Sequence, residues 1–119
     1  MYVKQLRKAE LLETIAVICR SPDVHQYRIG ITAEPSVRRR SYEKAVKLKY
    51  THFVIIASEL TWPEACEIEE ALQTGACGTR TSRAYRKYDP TVRDNEYVCS
   101  KGGSERFIGR DYSVYMTWK

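Results

Sequence analysis

Apolar and polar positions recur with different periods along this chain, and the changes of period mark its elements. Thr14 to Arg20, TIAVICR, is a short, apolar, β-branched run that predicts a first strand. Ser21 to Asp23 supplies turn residues, and His25 to Thr32, HQYRIGIT, alternates as a second strand, so the two predict a β-hairpin. Pro35 suits the first turn of a helix, and helical composition continues to about Lys49. Thr51 to Ser58, THFVIIAS, is more continuously apolar and reads as the central strand. Thr61 and Glu64 form a capping box with Pro63 in the first turn, opening a helix expected to end at Gly75. Beyond Gly78 the signal weakens to a short helix over Ser82 to Tyr88 and a C-terminal hairpin, NEYVCS and YSVYMTW, around KGGS. The expected class is α+β: a small mixed or antiparallel three-stranded sheet flanked by helices, in the order β-β-α-β-α. A core over about 14–76 and an extension over about 78–119 make one domain of 119 residues.

The same periods say which polar residues face inward. In the second strand Tyr27, Ile29 and Ile31 share one face, while Arg28, Gly30 and Thr32 share the other. The first set reads as core. The second is a small polar surface carrying a cation, where Gly30 leaves the backbone open to close approach by a ligand. On the following helix Arg38 and Tyr42 are four apart and sit beside the apolar stripe of Val37, Ala45 and Leu48. On the next helix, at about 100° per residue, Trp62, Ile68, Leu72 and Ala76 fall within about 60° of Ala65, and Glu69 lies at about 40°. A carboxylate on an apolar stripe requires a cation or hydrogen-bond donors, which Arg38 or a divalent metal would supply, whether as a structural bridge or a working site.

Charge sharpens this picture. The net charge of +5 is segregated. Arg38, Arg39, Arg40, Lys44, Lys47 and Lys49 form one basic segment; Arg80, Arg83, Arg86, Lys87 and Arg93, interleaved with Tyr85 and Tyr88, form another. Between them Glu59, Glu64, Glu67, Glu69 and Glu70 form an acidic block. Two basic segments around a carboxylate suit a protein that grips a polyanion, with the tyrosines either stacking on bases or buried as core. Four scattered cysteines without a CxxC pair, and two histidines not spaced with them, argue against zinc. No run approaches a membrane span, and the charged N-terminus does not read as a secretory signal, which points to an intracellular protein.

YRIGITAEPSVRRRSY, Tyr27 to Tyr42, resembles the second strand and following helix of the GIY-YIG nuclease superfamily, in particular a phage-associated branch. Its motif runs aromatic, Lys or Arg, Ile-Gly-Ile-Thr, two residues, Pro, two residues, Arg. Tyr27, Arg28, Ile29, Gly30, Ile31, Thr32, Pro35 and Arg38 all fall in register, and EACEIEEALQ, Glu64 to Gln73, resembles the helix whose glutamate lands on Glu69. The resemblance implies hydrolysis of DNA phosphodiesters with one Mg²⁺ or Mn²⁺ held by Glu69, while nothing in the residues themselves selects DNA over RNA. It implies Arg38 stabilising the transition state and a tyrosine helping to deprotonate water.

Two departures follow. The tyrosine of the first signature belongs near Ile18, where the chain has none, and Arg28 stands at the tyrosine of the second signature. Tyr42 is then the candidate for orienting water, with His25 as a lesser one. A tyrosine is a poor base unless cations such as Arg38 or Arg28 depress its pKa. The candidate catalytic set is Arg38, Tyr42, Glu69 and Arg28. Candidate nucleic-acid contacts are Gly30, Thr32, Arg39, Arg40, Lys44, Arg80, Arg83, Arg86 and Lys87. Three readings stand: an endonuclease, a catalytically silent nucleic-acid-binding domain, and an interaction module acting on a host protein. The aromatic GRDYSVYMTW tail closes the sheet or forms a homodimer contact.

Overall fold

The first element is a helix, α1 (Gln5–Cys19), where a strand was expected. Leu11, Ile15 and Cys19 are buried at a spacing of four, while Glu13, Thr14 and Val17 are exposed. A strand would put Ile15, Val17 and Cys19 on one face, so the helical period overrides the β-branched composition. The Lys87 ammonium donates to the Cys19 and Ser21 carbonyls at 2.8 and 3.0 Å, satisfying acceptors at the end of α1. The computed structural model describes residues 5–45, 47, 49–78, 80–93, 97, 99 and 109–119.

The class is α+β, with a three-stranded antiparallel sheet flanked by helices. β1 (Tyr27–Thr32), α2 (Pro35–Lys44), β2 (His52–Leu60) and α3 (Trp62–Cys77) follow as the pattern predicts, with α2 stopping short of Lys49. Then come the short helices α4 (Arg83–Lys87) and α5 (Pro90–Arg93), and β3 (Tyr112–Trp118). The sheet order is β1-β3-β2, with β3 antiparallel to both neighbours. The centre of the sheet is therefore the last strand and not Thr51 to Ser58. β2 is an edge whose Ile55 is exposed and whose register slips twice, irregularities that an edge tolerates and a centre does not. β3 closes the sheet and is buried from Tyr112 to Thr117. The expected hairpin partner at 95–100 lies outside the described residues except for Tyr97 and Cys99.

The two sheet faces differ. Ile29 opposite Met116 and Ile31 opposite Val114 bury one face, and the core continues into Ile15 of α1 and Ala65, Ile68 and Leu72 of α3. Arg28, Gly30 and Thr32, opposite Thr117, Tyr115 and Ser113, form the other, with Tyr42 of α2 close by. α3 opens with the predicted capping box, Thr61 N–H donating to the Glu64 carboxylate at 2.9 Å and Glu64 N–H to the Thr61 hydroxyl at 3.3 Å. It runs past Gly75, because that glycine accommodates α1: a Cβ there would lie 2.6 Å from a Leu12 methyl. No helix among the described residues is long and apolar enough to cross a membrane.

A buried carboxylate ties the segment after α4 to β1. Asp89, 2% exposed, pairs with the Arg28 guanidinium and accepts from the Thr91 N–H at 3.0 Å and the Thr91 hydroxyl at 2.7 Å. Its own N–H donates to the Tyr27 carbonyl at 2.9 Å. Burial pushes the Asp89 pKa up, but the Thr91 donors and Arg28 outweigh it and hold the carboxyl below its ordinary value. A group with a depressed folded pKa contributes stability above its unfolded pKa of about 3.9 and loses it as pH falls through the folded value. The melting temperature of the wild type is therefore expected to fall more steeply on acidification below about pH 4 than that of Asp89→Asn. Parallel curves of melting temperature against pH would remove Asp89 as the source.

Candidate active site

Gly30 and Tyr115 are paired across β1 and β3. A Cβ placed on Gly30 would stand 2.3 Å from the Tyr115 hydroxyl, so the phenol lies across the glycine. The close approach that Gly30 permits is by this side chain, where a ligand was expected. The Tyr115 hydroxyl makes a 2.9 Å hydrogen bond with that of Tyr42, one turn beyond Arg38 on α2. Thr32 sets the entry to that helix: it is buried, and its hydroxyl accepts from the Glu34 N–H at 3.0 Å. Arg38 is half-buried and its guanidinium makes no hydrogen bond or ion pair among the described residues.

Glu69 is 2% exposed, as its place on the apolar stripe of α3 requires. The Tyr97 hydroxyl donates to its Oε1 at 2.8 Å, so a phenol from beyond α5 supplies one of the donors that a buried carboxylate needs. Burial and the neighbouring Glu69 charge push the Tyr97 pKa well up, keeping the phenol protonated as that donor.

Tyr115 connects these groups electrostatically. Burial raises its pKa far above the ordinary tyrosine value, as do Tyr42 and Glu69, while Arg38 pulls it down. The phenol thus lies within the fields of both a cation and a carboxylate. A cation bound at Glu69 would cancel the unfavourable one. Among the described residues no group of three or more His, Cys, Asp or Glu side chains gathers. One carboxylate with waters and phosphate oxygens is a donor set that Mg²⁺ or Mn²⁺ accepts, and the Cys66 and Cys99 thiols, 3.7 Å apart, lie within electrostatic reach of Glu69 and Tyr97.

The remaining expected residues are spread more widely. Arg28 pairs with Asp89 and lies over the Tyr50 ring, 5.5 Å from its centroid, within electrostatic reach of Tyr42. Arg39, Arg40 and Lys44 are exposed on α2; Arg39 donates to the Phe53 carbonyl at 3.1 Å. Arg80, Arg83 and Arg86 are exposed, with Arg80 and Arg93 over the ring of Tyr85. Lys87 is spent on the end of α1, and Tyr88 is core. His25 is exposed ahead of β1, and Ile18 is partly buried on α1. Tyr115 and Tyr97 are the residues that sequence reasoning missed. The signal for Tyr115 was present in SVY, Ser113 to Tyr115, an alternating strand carrying a tyrosine, but nothing local says that it pairs with Gly30.

No protein-family model, curated protein or solved structure matches this chain.

Gly30→Ala is expected to force the Tyr115 phenol aside and to cost about 1–3 kcal/mol, as overpacking of a filled interior does. Adding Tyr115→Leu, which vacates the space, is expected to recover part of that loss in a double-mutant cycle of denaturant midpoints. A cost unchanged by the second substitution would mean that the phenol is not what the new methyl meets.

Proposed function

We propose that this chain is a metal-dependent endonuclease of the GIY-YIG type that hydrolyses phosphodiester bonds of DNA. The observation that carries the reading is the Tyr115 phenol, lying across Gly30, hydrogen-bonded to Tyr42 and within the fields of Arg38 and Glu69. The resemblance calls for a tyrosine on the strand antiparallel to β1, and that strand is β3. In this reading Ser113-Val114-Tyr115 takes the part that Gly-Ile-Tyr has in the first signature, delivered from the other end of the chain, and supplies the tyrosine missing near Ile18.

In this reading water attacks phosphorus, the bond to the leaving sugar oxygen breaks, and that oxygen takes a proton from solvent. The Tyr42–Tyr115 hydroxyl pair orients the water through hydrogen bonds, and because burial keeps the Tyr115 phenol protonated, the proton released by the water passes to solvent. Arg38, without a hydrogen-bond or ion-pair partner among the described residues, forks onto the non-bridging oxygens as their charge grows. Mg²⁺ or Mn²⁺ held by Glu69 would neutralise charge at the scissile phosphate. The exposed arginines and lysine of α2 supply the salt-sensitive grip on the strand.

One observation favours the silent-binding reading instead: Glu69 is buried with Tyr97 donating to it, as a purely structural carboxylate would be. Nicking of supercoiled plasmid separates the two. With Mg²⁺ or Mn²⁺ the wild type is expected to nick, and chelation to abolish it. Glu69→Gln, Arg38→Ala and Tyr115→Phe are each expected to lose about 10²–10³-fold in rate while still binding. Salt-dependent binding without any product, at every metal tried, would establish the silent domain.

A further inference from the structure

Beside the candidate active site the surface opens into a cavity of about 290 Å³, lined among others by Arg39, Tyr42, Glu43, Tyr50, His52 and Phe53. Tyr42 is shared: its hydroxyl meets Tyr115, while its ring packs against Tyr50 and Phe53, with centroids at 5.7 and 6.2 Å. Two stacked columns border the cavity. In one, Tyr115 stacks on Phe53 at 4.8 Å and 21°, and the Arg39 guanidinium lies over Phe53 at 5.5 Å, anchored by its bond to the Phe53 carbonyl. In the other, His52 stacks on Trp118 at 5.1 Å with the rings nearly parallel. Arg39 and His52 are both exposed, so each column ends in a planar group facing solvent.

We propose that this cavity receives one unpaired nucleobase of the strand being cut, stacked on the Arg39–Phe53 column, so that the substrate class is single-stranded or locally unpaired nucleic acid. The inference rests on the phosphodiesterase reading, and it adds which nucleic acid is selected. Aromatic rings and guanidinium planes are the surfaces on which unpaired bases stack. The described residues that line it include the cation Arg39 and the carboxylate Glu43, with Lys119 over the ring of Tyr50 at 5.6 Å, a mixed set of charges that suits a neutral ring with donors and acceptors. The volume lies at the small end of ligand sites, enough for one base and not for a length of strand. A base within a duplex has both faces covered and cannot enter, so pairing excludes it. Phosphates on either side of the base would meet the exposed basic residues of α2 and, past Tyr42, Arg38.

The test is binding without divalent ions of a short single strand carrying one 2-aminopurine, and of the same strand annealed to its complement. The wild type is expected to bind the single strand more tightly and to quench the probe. Phe53→Leu, which keeps an apolar side chain but removes the ring, is expected to weaken single-strand binding about tenfold and restore the fluorescence. Arg39→Gln on the exposed surface is expected to do the same. Arg40→Gln, which removes the same charge one residue away, is expected to weaken both probes alike and leave the quench intact. Equal affinity for both probes, or Arg39→Gln and Arg40→Gln acting alike, would overturn the base site. If plasmid nicking still depended on Glu69 in that case, the endonuclease reading would stand alone. A wild type that binds neither probe would overturn the base site, and absence of Mg²⁺- or Mn²⁺-dependent nicking as well would remove the endonuclease reading.

Discussion

The site depends on one missing methyl group. Gly30 sits opposite Tyr115, and because it has no Cβ the phenol folds flat across β1. That places the hydroxyl against Tyr42, whose helix leaves β1 through a turn held by Thr32 and Glu34. Strand, crossing side chain, turn and helix are thus fixed relative to one another within a few residues. Any side chain at position 30 would have to displace an aromatic ring that is itself stacked on Phe53.

The sheet divides its labour by face. One side carries the aliphatic core with α1 and α3, and supplies the stability. The other is built from aromatic rings and cations: Tyr42, Tyr50, Phe53, Tyr115, Arg28 and Arg39. Rings bury area while leaving polar tips, so this face can be packed and still present hydroxyls and guanidinium groups. Its cations have separate tasks. Arg28 is committed to Asp89 and Arg39 to the Phe53 carbonyl, which leaves Arg38 to counter charge near Tyr115.

Local signals were legible and non-local ones were not. The alternation Tyr27-Ile29-Ile31 against Arg28-Gly30-Thr32, the Thr61–Glu64 box, and Glu69 on an apolar stripe all depend on neighbours within a few residues and appear in the structure, although Gly30 and Thr32 are buried where an open polar surface was expected. Thr14 to Arg20 was misread because β-branched composition outweighed a helical spacing visible only when Leu11 is included. Gly75 was taken for a terminator because its use is a contact with Leu12 of another helix. Tyr115 could not be placed, since no property of SVY specifies its partner strand. Continuous apolarity in Thr51 to Ser58 suggested a central strand. Its run is apolar because Val54 and Ile56 pack on the core while Phe53 lies among the aromatic rings, and β2 remains an edge.

The order of elements has a consequence for how the site forms. β1 and β2 do not pair with each other; both pair with β3, so the sheet does not exist until the end of the chain arrives between them. The segment after α3 also brings Asp89 to Arg28 and Tyr97 to Glu69. Each of the three contributions meets a charge or gap that the first part of the chain leaves exposed: a guanidinium, a carboxylate, and the bare backbone at Gly30. The described residues beyond Gly78, in a segment that looks from composition like an extension, therefore complete the sheet and its core. A chain lacking them would hold Arg38 and Glu69 on helices with no closed sheet to set their separation, and the geometry on which the proposed chemistry rests would be lost.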